Sequence, residues 1–303
     1  MRGRVRAMGR PRAGGARRRG LAWLACVLGL GAGLWGLAGA QEARADEQLW
    51  AFARGAETLP KGKAEAYQFV TLRTGKNDGD YYGFDFDTEL EYGFTDEIQA
   101  SVSLVNHYFD VDGVEDLRDS ARYRFGGVEG SVKGRLLSPF IDPIGLAIRA
   151  EGGYLAKDDV GGFRQQEWFF APEIDLQKNF RDDTVSWVLN GGAEFAWGKQ
   201  PAEEYPRELS LQAATGLAWR FAPNWFVGAE ARVRAEYPLM DFDHFEHVVL
   251  YTGPSLHYGT QRWWVTASWL YQAWGRGIGE GNQQQTFAEE TEQIARVKVG
   301  INF

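Results

Sequence analysis

The sequence has only one cysteine, Cys26, together with three methionines and ten prolines in 303 residues. A lone thiol near the N-terminus excludes an internal disulfide framework and a cysteine metal cluster. After residue 40 there is also no uninterrupted apolar run of about 20 residues, the length that a helical membrane span requires. These absences exclude a disulfide-stapled secreted domain and a helical multispan membrane protein.

Glycine and aromatic residues are abundant instead, with 38 Gly, 12 Trp, 12 Tyr and 19 Phe. Aromatic side chains favour strands, and glycine favours the tight turns that join them. A disordered chain would be poor in aromatics. The composition therefore predicts a folded protein of β structure.

The first 45 residues have the layout of a secretory signal peptide. Eight arginines and no acidic residue lie within 1–20, the stretch 21–40 is apolar, and small residues follow. This order predicts cleavage after Ala40 or Ala45. An uncleaved membrane anchor is the alternative, because 20 apolar residues are long enough to span a bilayer. The glycines within the run and the two A-x-A sites favour cleavage.

Cleavage leaves a strongly acidic chain. Nine of the 33 basic residues and one of the 41 acidic residues precede Asp46, so the remainder carries a net charge of −16. Such a charge excludes nucleic acid as a partner, because nucleic-acid binding depends on basic surfaces that neutralise phosphates.

Along the rest of the chain, apolar and polar residues alternate with period two. The clearest segment is 82–93, where aromatic and aliphatic residues alternate with Asp85, Asp87, Glu89 and Glu91. A strand separates two such sets onto opposite faces, whereas a helix would mix them. The same alternation recurs up to the C-terminus and predicts an all-β fold.

The connections between these segments alternate between short and long, as they do in outer-membrane barrels. We treat residues 110–127 as one long loop, which keeps both chain ends and all the short turns on one rim. This gives an antiparallel transmembrane β-barrel of about twelve strands over residues 63–303, with ten or fourteen strands as alternatives. Residues 46–62 are then a periplasmic N-terminal lead-in, part of which is expected to enter the lumen. Pro172 and Pro254 fall inside predicted strands, where bulges are expected to accommodate them.

A secreted β-sandwich would also alternate, but three features favour the membrane. The polar faces carry charges of both signs, and aromatics concentrate near the strand ends at spacings of about 9–12 residues, which suits a tilted strand between two aromatic girdles. The alternation also continues to a terminal Phe303. This ending resembles the signal that the bacterial barrel-assembly machinery recognises. We therefore expect that machinery and outer-membrane lipid as partners.

Several short motifs resemble one uncharacterised family of proteobacterial outer-membrane barrels. They are Tyr92-Gly93-Phe94-Thr95-Asp96, Asp142-Pro143-Ile144-Gly145 and Arg262-Trp263-Trp264-Val265. The family is in turn similar to barrels named for the meta-pathway of phenol degradation. The resemblance implies the fold, the cell outer membrane as location and, through the phenol-pathway barrels, hydrophobic solutes. It implies no established activity and no catalytic residues.

The predicted lumen face supplies the candidate functional residues. They are Asp85, Asp87, Glu89, Glu91, Lys133, Arg135, Glu230, Arg232, Arg234, Arg296 and Lys298. The acidic row is interpreted either as a cation-attracting stripe in a pore or as a hydrated wall paired across strands with the basic rows. The first interpretation predicts a passive channel for small solutes. The second predicts a closed structural or interaction barrel.

Two other groups of side chains are candidates for metal binding or catalysis. Residues 243–247 hold His244, Glu246 and His247, but they match no zinc signature, and an acidic loop that binds divalent ions loosely is the simpler interpretation. Ser255 and His257 share a strand face as a hydrolase would need, without an evident third member. We predict no enzyme, no cofactor and no specific metal site.

Overall fold

The computed structural model describes residues 48–115, 117–158, 160–199, 207–278, 285–287 and 290–303. The predicted signal peptide and its two cleavage sites lie outside these residues. Within the described residues, no helix is both long and apolar enough to cross a membrane.

Twelve antiparallel strands form one closed barrel, as the sequence predicts. They are β1 (Ala64–Thr74), β2 (Asp80–Gly93), β3 (Ile98–Asp112), β4 (Ser120–Leu137), β5 (Gly145–Lys157), β6 (Arg164–Phe180), β7 (Val185–Lys199), β8 (Arg207–Ala222), β9 (Trp225–Pro238), β10 (His247–Gly259), β11 (Trp263–Gly277) and β12 (Gln293–Asn302). Each strand pairs with its neighbours in sequence, and β12 pairs back onto β1. Closure leaves none of these strands with an unpaired edge.

The period-two pattern assigns the two faces of the barrel wall. In β2, Leu90 is 58% exposed on the outside, whereas its neighbours Glu89 and Glu91 are 6% and 7% exposed and point inward. Trp168 and Trp269 are likewise exposed on the outer face. The polar side chains therefore line the lumen and the apolar ones face outward.

The two rims differ in the length of their connections. Residues 94–97, 138–144, 181–184, 223–224 and 260–262 form the short-turn rim, at which β1 also begins and β12 ends. The other ends of the strands form the long-loop rim, where the strand bounds leave longer intervals of sequence: 75–79, 113–119, 158–163, 200–206, 239–246 and 278–292. In outer-membrane barrels, the short turns face the periplasm.

The expectation of one long loop over residues 110–127 is wrong. β3 continues to Asp112 and β4 begins at Ser120, and the two pair from Val111 and Ser120 inward. The register shifts between Val105 and Asn106. Such a bulge flips the alternation along the strand, so the pattern around Gly126 and Gly127 no longer looks like one continuous strand.

The two prolines do not sit at bulges, contrary to expectation. Pro172 pairs with Ala150 of β5, but the ladder between β6 and β7 lapses beside it and resumes in the same register. Pro254 likewise pairs with Ala229 of β9, and the ladder toward β11 lapses beside it. Each proline lacks an amide donor, and the loss is confined to a gap in one of its two ladders.

Barrel closure yields the first prediction. Deleting residues 293–303 removes β12 and exposes the edges of β1 and β11, so we expect no heat-modifiable, membrane-integrated protein. Gel mobility with and without heating, together with membrane fractionation against the full-length chain, measures this. A truncated chain that stayed soluble, monomeric and fully folded would contradict the barrel.

The assignment of faces yields a second prediction. Phe86 lies near the middle of β2 on the outer face, with ring centroids 6.4 Å from Phe84 and 6.3 Å from Tyr123. Phe86→Arg should destabilise the folded barrel in lipid by about 2–4 kcal/mol. Asp87→Arg, one residue along and inside the lumen, should cost much less. Urea titration in vesicles compares the two variants, and equal destabilisation would refute the register.

Candidate functional site

Residues 48–57, named the plug, lie inside the barrel. The chain leaves the start of β1 at the short-turn rim, where the Lys61 amide donates to Asp96 Oδ1 (2.9 Å) and Thr58 Oγ1 donates to the Asp96 carbonyl (2.7 Å). From there it turns inward. Leu49, Trp50, Ala51, Ala53 and Ala56 are all at most 3% exposed.

One buried carboxylate holds the innermost part of the plug. Glu230, near the middle of β9, is 2% exposed. It accepts the backbone amides of Ala51 (3.0 Å), Phe52 (2.8 Å) and Ala53 (2.9 Å), and the Ser268 hydroxyl as well. Successive amides that converge on one anion form a nest, which balances the charge that burial would otherwise penalise.

Polar side chains of other strands bind the rest of the plug backbone. Asn190 accepts the Arg54 amide (2.8 Å) and donates to the Arg54 carbonyl (3.0 Å), and Gln177 accepts the Ala56 amide (2.7 Å). Lys133 donates to the Gly55 carbonyl at 2.7 Å.

Two further basic side chains of the wall bind residues 48–51, the first part of the plug. Arg296 donates to the Ala51 carbonyl (3.2 Å), and its guanidinium lies 4.6 Å from the centroid of the Phe52 ring. Lys298 donates to Gln48 Oε1 (2.5 Å) and to the Trp50 carbonyl (3.3 Å). Most of these wall residues lie in the half of their strand that is nearer the short turns. The plug therefore occupies the half of the lumen next to the short-turn rim.

An apolar patch completes the contact between plug and wall. Trp50 is fully buried and, with Leu49 and Ala53, packs against Val188, Ala218 and Phe226. A Cβ atom on Gly216 would overlap the Trp50 indole. Glycine at this position of β8 therefore makes room for the largest side chain of the plug.

Arg54 anchors the tip of the plug to an acidic patch. Its Nε lies 3.4 Å from Glu173 Oε1, and Arg149 bridges from the same carboxylate (4.0 Å) to Glu151 (2.8 Å). Burial alone lowers the pKa of the Arg54 guanidinium, but the carboxylates of Glu173 and Glu151 raise that pKa above its ordinary value. Arg54 therefore stays charged beside them.

Beyond the plug, the half of the lumen next to the long-loop rim contains a cavity of about 470 Å³. Among the residues that the structure describes, its walls hold nine carboxylates and five lysine or arginine side chains. The acids are Asp85, Asp87, Glu129, Asp158, Glu167, Glu194, Glu208, Glu236 and Glu290, and the bases are Arg73, Lys76, Lys157, Arg232 and Arg234. The cavity is therefore polar, with an excess of acidic groups.

The structure sorts the predicted lumen residues into three groups. Asp85, Asp87, Arg232 and Arg234 line the cavity. Lys133, Glu230, Arg296 and Lys298 hold the plug. The remaining three residues lie elsewhere on the inner face. Glu91 accepts a hydrogen bond from Gln99 (2.5 Å), and Arg135 donates to the Asp96 carbonyl at the short-turn rim (2.6 Å). Glu89 is buried within β2.

Charge pairing inside the lumen runs within single strands and between neighbouring strands. Asp85 lies 2.8 Å from Arg73 of β1 and 2.8 Å from His107 of β3, and Arg234 lies 2.8 Å from Glu236 on its own strand. Pairing of the acidic row with the basic rows of β9 and β12 was one sequence interpretation. Asp85 instead takes its partners from adjacent strands, where the registers place His107 directly opposite Asp85 and Arg73 diagonally, two residues from the opposite residue Thr71.

Ser255 and His257 do not form a nucleophile–base pair. Both are buried, at 4% and 1% exposed, but His257 Nδ1 bonds with Thr266 Oγ1 (2.7 Å). Thr266 in turn donates to the Gln48 carbonyl of the plug (2.5 Å). The histidine therefore supports the plug contact.

Sequence reasoning missed Arg73, His107 and the inward-facing aromatics Phe226 and Trp264. The sequence does contain a signal for an inward-facing tryptophan. Successive residues of a strand point to opposite faces, so only one of Trp263 and Trp264 can face outward. The apolar Leu49-Trp50-Ala51-Phe52 run was the signal for the plug, since a solvated lead-in would have no reason to be apolar.

The fold resembles solved outer-membrane barrels. An outer-membrane channel from Pseudomonas putida F1 matches with a TM-score of 0.58 and 11% identity, covering 82% of this chain and 98% of that one. The NanC porin matches at 0.47 and 9% identity (78% and 98% covered), and the KdgM porin in complex with disordered oligogalacturonate at 0.45 and 11% identity (80% and 99% covered). At these identities, the likeness concerns the fold alone.

Sequence comparison adds the family. No curated protein matches the chain. The likeness to the phenol-pathway barrels stays a prediction, because none of these matches bears on it. A family model does match residues 42–303, which include the plug and the whole barrel. The chain therefore belongs to the family of unknown function DUF6662.

Proposed function

We propose that the protein is a plugged outer-membrane channel for the passive passage of small polar solutes. The observation that carries this proposal is the charged cavity of about 470 Å³, one of whose lining residues, Arg232, also lies 5.7 Å from the centroid of the Phe52 ring of the plug. Passage through the barrel then requires the plug to leave the short-turn half of the lumen.

The wall behind the plug supports its release. The groups that bind the plug backbone include Glu230, Asn190, Gln177 and Lys133, all of which water can solvate equally well. These groups pair the backbone amides and carbonyls of the plug while it is in place, and water can take over the same hydrogen bonds once the plug leaves. Removal of the plug would therefore leave a hydrated channel.

The outer membrane is the proposed location. The outward face carries exposed aromatic residues near both ends of the strands, such as Tyr92 near the short-turn rim and Trp168 near the long-loop rim. Such girdles suit the two interfaces of a bilayer. Assembly would proceed through β12 and its terminal Phe303 on the barrel-assembly machinery.

The lining favours cationic or zwitterionic solutes. Asp87, Glu129 and Glu194 are among the nine carboxylates that line the cavity. Rings of carboxylates raise the local concentration of cations in a pore. The hydrophobic solutes that the family resemblance suggests have no support from this lining.

A closed structural barrel is the second candidate. Trp50 supports this candidate, because its burial against Val188, Ala218 and Phe226 stabilises the plug inside the lumen. In this alternative the plug never leaves, and the cavity is a blind pocket open to the outside.

Conductance separates the two candidates. The wild-type chain in a planar bilayer should show rare, brief openings, and deletion of residues 48–57 should give sustained ion-conducting steps. Trp50→Ala, which removes the main apolar contact of the plug, should raise the open fraction at least tenfold, since burial of a large side chain is worth more than 1.4 kcal/mol.

Trp269→Ala is the matched control, because this tryptophan is 60% exposed on the outer face and touches no part of the plug. It should conduct like the wild type. If the chain without residues 48–57 assembles but never conducts, the channel is refuted and the structural barrel remains.

Selectivity tests the solute class. In the chain without residues 48–57, Asp87→Asn together with Glu129→Gln should lower the cation preference, seen as a shift of the reversal potential toward zero in a salt gradient. Asp182→Asn, an exposed acid on the short-turn rim, should leave that potential unchanged. An unaltered potential in the double variant would show that these carboxylates do not select the solute.

A further inference from the structure

A histidine and several carboxylates meet at the long-loop rim. Glu236 lies two residues before the end of β9, and His247 is the first residue of β10. The Glu246 amide donates to the Glu236 carbonyl at 3.0 Å, which brings these residues together. One ligand atom from each of Glu236, Glu246 and His247 lies within 4.8 Å of the others.

The His247 imidazole lacks a hydrogen bond in this cluster. The side chain is 3% exposed, and neither ring nitrogen makes a hydrogen bond with any described residue. Nδ1 faces Glu236 Oε2 at 3.7 Å, and Nε2 faces Glu290 Oε1 at 3.5 Å. Buried polar groups normally have a partner, so both nitrogens point to something that would satisfy them.

We propose that Glu236, Glu246 and His247 bind a divalent transition metal ion of the zinc type. His247 Nδ1 and the two carboxylates are the ligands. A tetrahedral zinc ion with bonds of about 2.0–2.1 Å separates its ligands by roughly 3.4 Å, and Nδ1 already lies 3.7 Å from Glu236 Oε2. Small side-chain rotations complete the site, and its fourth position is left for water or solute from the cavity.

Glu290 has a supporting role. A metal-bound histidine usually donates its second ring N–H to a carboxylate, which fixes the tautomer and the ring orientation. Nε2 faces Glu290 as this arrangement requires. The metal and Glu290 would thus satisfy one ring nitrogen each.

The three carboxylates around His247, those of Glu236, Glu246 and Glu290, outnumber the guanidinium of Arg234 beside them, so the local charge suits a cation. Arg234 contacts Oε1 of Glu236 (2.8 Å), and the other carboxylate oxygen of Glu236, Oε2, faces His247. Arg232, the next basic residue on this wall, lies over the Phe52 ring at 5.7 Å from its centroid. An imidazole ligand favours zinc-type ions over calcium or magnesium, which prefer oxygen donors.

Titration of the purified, folded mature chain with Zn²⁺ in detergent tests the site by calorimetry. We expect one ion bound per chain, and His247→Ala should weaken binding at least tenfold, the lower end of what even a supporting residue contributes. His244→Ala is the matched control, because this exposed histidine lies three residues away and pairs with Asp241 at 3.1 Å. It should bind Zn²⁺ like the wild type.

Heat-modifiable gel mobility establishes that each variant is folded. Glu246→Gln, in the loop before β10, provides the same test if His247→Ala does not assemble, and it too should weaken binding at least tenfold. The site is refuted if the wild type binds no Zn²⁺, if the folded His247→Ala or Glu246→Gln variant binds as tightly as the wild type, or if His244→Ala is equally impaired. None of these outcomes depends on conductance. The metal site can therefore be refuted while the channel proposal holds, and the channel proposal can be refuted while the metal site holds.

Discussion

The lumen depends on how one buried charge is balanced. Glu230 lies among side chains that exclude water, and an unpaired carboxylate there would be strongly destabilising. Three amides of the plug and the Ser268 hydroxyl donate hydrogen bonds to the carboxylate and so stabilise it. The alternative is water, which can reach the carboxylate only when the plug is gone. In the proposed channel, the plug would satisfy this carboxylate when the lumen is closed, and water would satisfy it when the lumen is open.

This dependence divides the barrel into two halves of different character. Toward the short turns, aromatic and aliphatic groups such as Trp50, Phe226 and Trp264 pack in the interior beside the polar groups that hold the plug. Toward the long loops, ion pairs between neighbouring strands line an open cavity. Twelve strands enclose more space than wall side chains alone can fill, since eight already suffice for a side-chain-filled interior. Added chain fills one half, and the other half stays open.

The sequence was a good guide wherever a local pattern carries the information. Period-two alternation predicted the strands and their facing, and the parity of the connections predicted their number. It failed at Ser120–Phe125, where the bulge after Val105 interrupts the pattern, and at Pro172 and Pro254, where gaps in the ladder replace the expected bulges.

Contacts across the lumen were beyond reach for a different reason. Whether Asp85 meets Arg73 or Arg232 depends on strand register and barrel closure, neither of which a single sequence reports. For the same reason, His247 could be associated with Glu246, its neighbour in sequence, but not with Glu236 or Glu290.

The plug also constrains the order of folding. Its partners lie far along the chain: 121 residues separate Ala56 from Gln177, 178 separate Phe52 from Glu230, and 250 separate Gln48 from Lys298. The plug therefore has no complete binding surface until the last strand is in place. Contacts of such long range form late, because the intervening chain must be ordered first. The nascent barrel must then close around a water-filled lumen, and the N-terminal segment docks into a finished wall.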